Sequence, residues 1–435
     1  MQQGSILPFL QKAKSSRTEN SRSENSRPGQ PYQQRPNSSR HHSRPNSTGQ
    51  HRGPNRRRNM DLKAVADETK AELPKVLSSI TGFDAAESSV YDLKHLGALD
   101  PNACPDFVLP HGDTDAGKKG TRIRVYDMDT FDVALHLAPN YKVHTHLGLS
   151  NPSVSKGSTT KPDDGDIVME DAGNNDTQVQ SKDNTTAGPD RDSPTKRDDG
   201  QILKPEETTT AKSAKDSSKA FNLHLTASNG RPVKPVAVLN LASERSPGGG
   251  WQNGALAQEE CLCYRSSLYL SLHKTYYPLP SLSAIYTPSV VLIRDAMSCG
   301  HTLLTPTEAP ANLPITSVIS VAALRKPQLT DDKQRFKNVG QRAETKRKIR
   351  VTLRVAARQG HTKLVLGALG CGVFANPPKE VAECFLEVLR EKEFQGGWWE
   401  EVGFAVLDNV KGTDGGKDGN GNFGVFYRVL DGEIV

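Results

Sequence analysis

The sequence predicts one mixed α/β domain, a sheet covered by helices on both faces, with a long polar arm and a long polar insertion. Three observations lead there. From residue 220 onward, apolar runs of five or six residues alternate with longer stretches of helical period, the pattern of strands buried between two helical layers. Two glycine-rich loops directly follow such runs, as they do in folds that bind ligands at the carboxyl ends of strands. The apolar content is low and uneven. Hydrophobic residues are 34% and aromatics 6% of the 435 residues, and no Phe, Trp or Tyr lies between Tyr141 and Phe221. Setting the polar tracts aside leaves about 300 residues, enough for one well-buried core.

In chain order, residues 1–59 form a Ser/Asn/Arg/Pro-rich arm ending in Arg56-Arg57-Arg58, unable to bury enough surface to offset its ordering entropy. A helical part and a first strand follow over 60–146. An amphipathic helix begins near Asp61 as N-cap, with Leu62, Val65, Ala66, Thr69 and Leu73 on one face, and Pro74 is expected to stop it. Ile123 to Leu135 reads as a strand and then a helix capped at Asp129 or Thr130. Residues 147–219 are polar and aperiodic, a disordered insertion whose removal should leave folding intact.

The main α/β core is expected over 220–435. Val236 to Leu241 is a buried strand, followed by the loop Ser246–Trp251 and a helix from about Leu256 to Tyr276 with Cys261, Tyr264, Leu268 and Leu272 inward. Further strands are expected at Val290–Arg294, Val318–Ala322, Lys363–Ala368 and Gly403–Leu407. Helices fit at Arg335–Arg358 and Lys379–Glu391. The run Gly415–Gly424 reads as a ligand-closing loop or a mobile hairpin.

Composition excludes several classes. No apolar stretch approaches the roughly 20 residues of a membrane helix, and the N-terminus lacks the flank and apolar core of a signal peptide. Membrane and secreted classes are therefore not expected. The six cysteines show no CxxC pair and no His spaced for zinc, so reduced thiols and no metal are expected. The net charge of +6 belongs to the arm: residues 1–59 carry +10, leaving −4 for the rest.

The chemistry gathers at the two glycine loops, Pro247-Gly248-Gly249-Gly250 and Gly367-Ala368-Leu369-Gly370-Cys371-Gly372-Val373-Phe374. Glycine lets a backbone approach a ligand closely and aims N–H groups at phosphate oxygens. Neither loop fits the dinucleotide or P-loop fingerprint, and a glycine cluster alone is also what an ordinary turn looks like. The first loop, however, is followed after seven residues by Gln258-Glu259-Glu260.

Three glycines, a short spacer and Gln-Glu-Glu resemble the signature of poly(ADP-ribose) glycohydrolases, whose catalytic unit is a macrodomain, a three-layer α/β/α fold. Asn240 at the end of the preceding strand, Pro247, and the second loop running on to Ala375-Asn376-Pro377-Pro378 fit as well. The helix bearing Ala66-Asp67-Glu68-Thr69 is similar to the microbial branch, found in bacteria and filamentous fungi. The likeness spans about residues 60–146 and 220–435.

The resemblance implies that Glu260 is the acid/base, that Glu259 binds ribose hydroxyls, and that Asn240 bonds the distal ribose. It further places Gly248, Gly249, Gly250 and Gln258 on the substrate, with Gly370, Cys371, Gly372, Val373 and Phe374 as the second phosphate loop and no cofactor. Elementary chemistry agrees. Two N–H-rich loops could grip a pyrophosphate from either side. Adjacent helical residues point about 100° apart, so the two Glu cannot flank one bond as an ordinary glycosidase pair does. One carboxyl should move the proton while its neighbour holds the sugar. Burial beside a second carboxyl should push the proton-donating group towards neutrality. Against this stands the plain alternative that two Glu in a first helical turn only complement its dipole. Trp251 is a candidate wall of the site, and Phe374 and Phe423 are candidate aromatic contacts.

Two other classes stay open: a reader macrodomain or mono-ADP-ribosyl hydrolase, and a nucleic-acid binder drawn by the basic arm. Finally, Gln3-Gly4-Ser5-Ile6-Leu7-Pro8-Phe9-Leu10 resembles the sliding-clamp-binding motif through Gln3, Ile6 and Phe9, with Leu10 in place of the second aromatic. It is equally what an eight-residue coincidence gives. The expectation is an intracellular monomer, nuclear and cytoplasmic, acting on poly(ADP-ribose) or ADP-ribosylated proteins.

Overall fold

The computed structural model describes residues 60–149 and 233–435. The arm, nearly all of the insertion and the clamp-like motif therefore lie outside the described residues. Among the described residues seven strands form one mixed sheet: β1 (Ser89–Asp92), β2 (Ile123–Tyr126), β3 (Ala237–Ala242), β4 (Ser283–Val291), β5 (Ile315–Ala322), β6 (Lys363–Gly367) and β7 (Glu401–Ala405). Their order is β1-β4-β5-β3-β6-β7-β2. Only the β1–β4 and β4–β5 pairs are antiparallel; the other four are parallel. The stretches before and after the insertion thus build one sheet.

Burial on both faces explains the continuous apolar strands. In β3, Ala237 and Leu239 face one helical layer while Val238 faces the other. In β6, Leu364 and Leu366 share the first face and Val365 the second. The first layer holds α6 (Val339–Arg358), α7 (Pro378–Leu389) and α8 (Asn422–Leu430), with Phe385 and Phe426 packed on Phe404 of β7 and Ile349 in the same buried cluster. The second holds α1 (Met60–Ser78), α2 (Thr130–Leu137) and α4 (Gln258–Arg265), packing Leu62, Phe131, Leu262 and Trp251. The expected α/β/α layering is present.

Several boundaries differ, each for a local reason. Helix α1 runs through Pro74 to Ser78. Proline costs a helix interior about 3 kcal/mol, but here Leu73, Val76 and Ile80 carry the apolar stripe past it into a buried cluster with Val291 and Leu313. The expected helix 256–276 is two: α4 stops at Arg265 and α5 (Leu268–Ser271) follows the short α3 (Val143–Leu147) and α4 in chain order. The break is made by serines. Ser266 Oγ donates back to the Leu262 carbonyl at 2.7 Å, and Ser267 trades bonds with Val291, the end of β4. Strand β4 starts seven residues before the expected Val290, masked in sequence by Pro288, where the pairing with β5 shifts register. The Gly415–Gly424 run is no hairpin. Asp408 accepts from the Val410 and Gly416 amides and Asn409 from the Asn422 amide, tying a turn that launches α8. No described helix is long and apolar enough to cross a membrane.

Candidate active site

The carboxyl ends of β3, β6 and β7 open onto a cleft of about 330 Å³. Gln258, Gly370, Gly372, Phe374, Leu407 and Asn422 are among the residues lining it. The second glycine loop and the start of α4 line it, whereas the first loop, Pro247 to Gly250, is not among its lining residues and reaches α4 through the Gly250 amide on Glu260. The detail is more specific than that.

Gln258 begins α4 and spends its whole amide on structure. Its Oε1 accepts from the Leu241 amide at 2.8 Å, and its Nε2 donates to the Leu239 carbonyl at 2.8 Å and to Thr130 Oγ1 at 3.0 Å. It clips α4 to β3 and α2, and so aims the two residues behind it. Glu259 is buried at 3% exposure. Its Oε2 accepts from the Ser243 amide at 2.8 Å, and Asn240 Nδ2 approaches its Oε1 at 3.5 Å. Asn240 is fully buried, donates to Ser320 Oγ at 3.0 Å and leaves its own Oδ1 unpaired. It stands behind Glu259 rather than on the cleft surface.

Glu260, at 9% exposure, accepts from the Gly250 amide at 2.9 Å through Oε1. Its Oε2 has no hydrogen bond among the described residues. The two carboxylates thus diverge, one towards β3 and one towards the loop, and meet only at Gly249. That glycine has φ +60°, and a Cβ there would overlap Glu260 Oε1 and stand 3.0 Å from Glu259 Oε2.

The first loop also departs from the expectation that it grips phosphate. Its amides are already engaged: Gly248 on Glu259, Gly249 on the Ser246 carbonyl and Gly250 on Glu260. It holds carboxylates. The second loop is different. The Cys371, Ala375 and Asn376 amides close turns onto Ala368, Gly372 and Gly370, while those of Gly372, Val373 and Phe374 carry no hydrogen bond among the described residues. Three successive N–H groups without a partner among the described residues are donors an anion could take. Gly370, with φ +76°, allows the turn because Ala323 and Asn376 press against its Cα. The Cys371 side chain is buried, its Sγ 3.8 Å from the Leu369 carbonyl, so this residue serves the loop through its backbone.

The aromatic candidates separate. Trp251 is wholly buried and packs on Tyr264 and Tyr269. A Cβ on Gly248 would meet its ring at 2.7 Å; it buttresses the loop from behind. Phe423 lies in the core beside Tyr427. Phe374 lines the cleft, with the Arg325 guanidinium 5.7 Å from its ring centre.

Sequence reasoning missed the supports. Tyr264 Oη donates to the Trp251 and Ala255 carbonyls, fixing the loop between the glycines and α4. Thr69 of α1 donates to the Tyr264 carbonyl and accepts from Arg294, which also pairs with Glu68. Part of the Ala66–Thr69 motif therefore latches α1 to the catalytic helix. Its sequence signal was there; its partner 195 residues away was not.

Burial pushes Glu259 up to about 8, with the neighbouring Glu260 adding to it and the Ser243 amide opposing it. The upward push thus falls on Glu259, whereas the sequence reading assigns it to the proton donor. A carboxyl raised in the folded state keeps its proton there after the unfolded chain has lost it. Between its ordinary value of 4.5 and about 8 the native state binds more protons, so this group's contribution to stability falls as pH rises and levels off above 8. Glu259→Gln removes that slope. Relative to the variant, the wild-type Tm should drop by about 3 °C or more from pH 5 to 8, measured by thermal unfolding. Parallel Tm curves would refute it.

Against known proteins, residues 153–295 match the family model described as the microbial-type PARG catalytic domain. No curated protein matches. The poly(ADP-ribose) glycohydrolase from Thermomonospora curvata is 21% identical over 85% of this chain and 100% of its own, with a TM-score of 0.47. The Deinococcus radiodurans enzyme, solved with ADP-ribose, is 35% identical over 45% of this chain and 75% of its own, with a TM-score of 0.36. The family match takes in the whole segment from the first glycine loop to Glu260. The chain belongs to the microbial-type poly(ADP-ribose) glycohydrolase family.

Proposed function

We propose that the protein hydrolyses the ribose–ribose O-glycosidic bonds of poly(ADP-ribose) and releases ADP-ribose, with Glu260 moving the proton. The observation that carries the assignment is the state of the two carboxylates. Both Glu259 oxygens have donors pointed at them, whereas Glu260 has one oxygen anchored by the Gly250 amide and keeps Oε2 without a hydrogen bond among the described residues. Protonated Glu260 would give its proton to the leaving ribose oxygen as the glycosidic C–O bond breaks. Water adds to the oxocarbenium-like carbon and returns a proton to the carboxylate. The free amides of Gly372, Val373 and Phe374 would hold the pyrophosphate, and Glu259, orienting through its neutral or charged form, the ribose hydroxyls. The catalytic unit comprises residues 60–146 and 220–435.

Incubating the purified chain with ADP-ribose polymer and measuring free ADP-ribose tests this reading. Release supports it; tight binding without release makes the protein a reader, and the absence of both binding and release overturns the reading.

We further propose a nuclear role at sites of DNA damage, supported by the basic arm and by Gln3, Ile6 and Phe9. Calorimetry of a peptide covering residues 1–16 with the cognate sliding clamp should show micromolar binding, lost on Ile6→Ala and Phe9→Ala. Absence of heat at high peptide concentration ends the idea.

A further inference from the structure

We propose that Arg245 and Arg325 form an anion subsite outside the cleft, taking the pyrophosphate of the ADP-ribose unit next to the one being released. The inference rests on the reading above.

Two guanidinium groups converge on one carboxylate oxygen. Arg245 Nε stands 3.1 Å from Glu244 Oε1, and Arg325 Nη1 stands 3.2 Å from the same atom. The second oxygen, Glu244 Oε2, is buried and has no partner. One negative charge therefore gathers two positive ones, leaving a net +1 beside the exposed Lys326. Both arginines are open to solvent, at 71% and 49% side-chain exposure. Neither is locked in a bidentate pair, the geometry in which an arginine is committed to its carboxylate.

Their position ties them to both loops. Arg245 immediately precedes Ser246–Gly250, the loop on which Glu260 rests. Arg325 lies over Phe374 of the second loop. Its segment is stitched to that loop, since the Lys326 amide donates to the Phe374 carbonyl at 2.8 Å and Asn376 Nδ2 donates to the Leu324 carbonyl at 2.7 Å. The pair thus sits where the two loops meet. On the proposed reading the substrate is a polyanion, and the unit attached to the departing ribose oxygen would pass Glu260, which rests on the first loop. A planar guanidinium fork matches phosphate oxygens as well as a carboxylate. Phosphate would displace Glu244 from two ready donors.

The test compares oligomer with monomer on the full chain. KM for ADP-ribose oligomers of defined length is measured by release of ADP-ribose, and the Kd of free ADP-ribose by calorimetry. The Arg245→Ala/Arg325→Ala variant should raise the oligomer KM by about fivefold or more, the scale of losing charge-assisted contacts, while the ADP-ribose Kd moves less. Glu244→Gln should act in the opposite direction and lower the oligomer KM about twofold, a gain that misfolding cannot mimic. Equal weakening of oligomer and ADP-ribose would overturn the subsite, showing that Arg325 only props Phe374. An unchanged oligomer KM in both variants would overturn it as well. If the wild-type chain releases nothing from polymer, the subsite falls together with the function; if it does release ADP-ribose, only the subsite is at stake.

Discussion

Glu260→Gln should lose polymer hydrolysis by about two to four orders of magnitude, the usual cost of a missing acid/base, while ADP-ribose binds with near-normal affinity. The structure makes the substitution a clean one. Gln keeps an oxygen able to accept from the Gly250 amide, the bond that anchors the side chain at 2.9 Å. What disappears is the ionisable oxygen opposite it. The first loop holds its shape because its other amides bond to Glu259 and to the Ser246 carbonyl. Single-turnover release of ADP-ribose, with Kd measured in parallel, separates chemistry from binding. Turnover within tenfold of wild type would remove Glu260 from the role. Glu259→Gln should be impaired through a different quantity: it retains the proton donor and loses the sugar contact, so KM and kcat change together.

The sequence made the architecture legible because burial on two faces writes long apolar strands and helical stripes that nothing else produces. It failed where one residue's local meaning was overruled. Pro74 reads as a stop, yet Val76 and Ile80 continue the apolar stripe beyond it. Ser266 and Ser267 read as tolerable inside a helix, yet their hydroxyls and amides find Leu262 and Val291 instead. At the site, residue types were legible and their hydrogen bonds were not. Three glycines announce free N–H groups only if nothing nearby consumes them, and here Glu259 and Glu260, ten or so residues downstream, consume two. Gln258 likewise reads as a ligand contact until its amide is found spent on Leu239, Leu241 and Thr130. Such bonds join positions far apart in sequence but adjacent across β3 and α4, so pattern alone cannot assign them.

Gly249→Ala should damage the reaction far more than the fold. Two costs coincide. With φ at +60°, any residue bearing a Cβ pays about 1–2 kcal/mol for left-handed backbone. The Cβ itself would overlap Glu260 Oε1, the oxygen held by Gly250, and crowd Glu259 Oε2. The cheaper escape is for the carboxylates to give up their backbone hydrogen bonds and move, since the backbone is fixed by the Ser246 and Gly248 turns. Moving Glu260 by even an ångström misplaces its proton, a displacement that costs about a hundredfold in rate. The expected result is a kcat lower by about two orders of magnitude or more with Tm reduced by only a few degrees. Gly372→Ala provides the contrast, because its Cβ would meet nothing within 4 Å and its residue lines the cleft beside the free amides. There Tm and kcat should hold while ADP-ribose affinity falls. Were Gly249→Ala to unfold the chain before it slowed the reaction, the loop would be serving the core, and its close fit to the two carboxylates would be packing rather than aim.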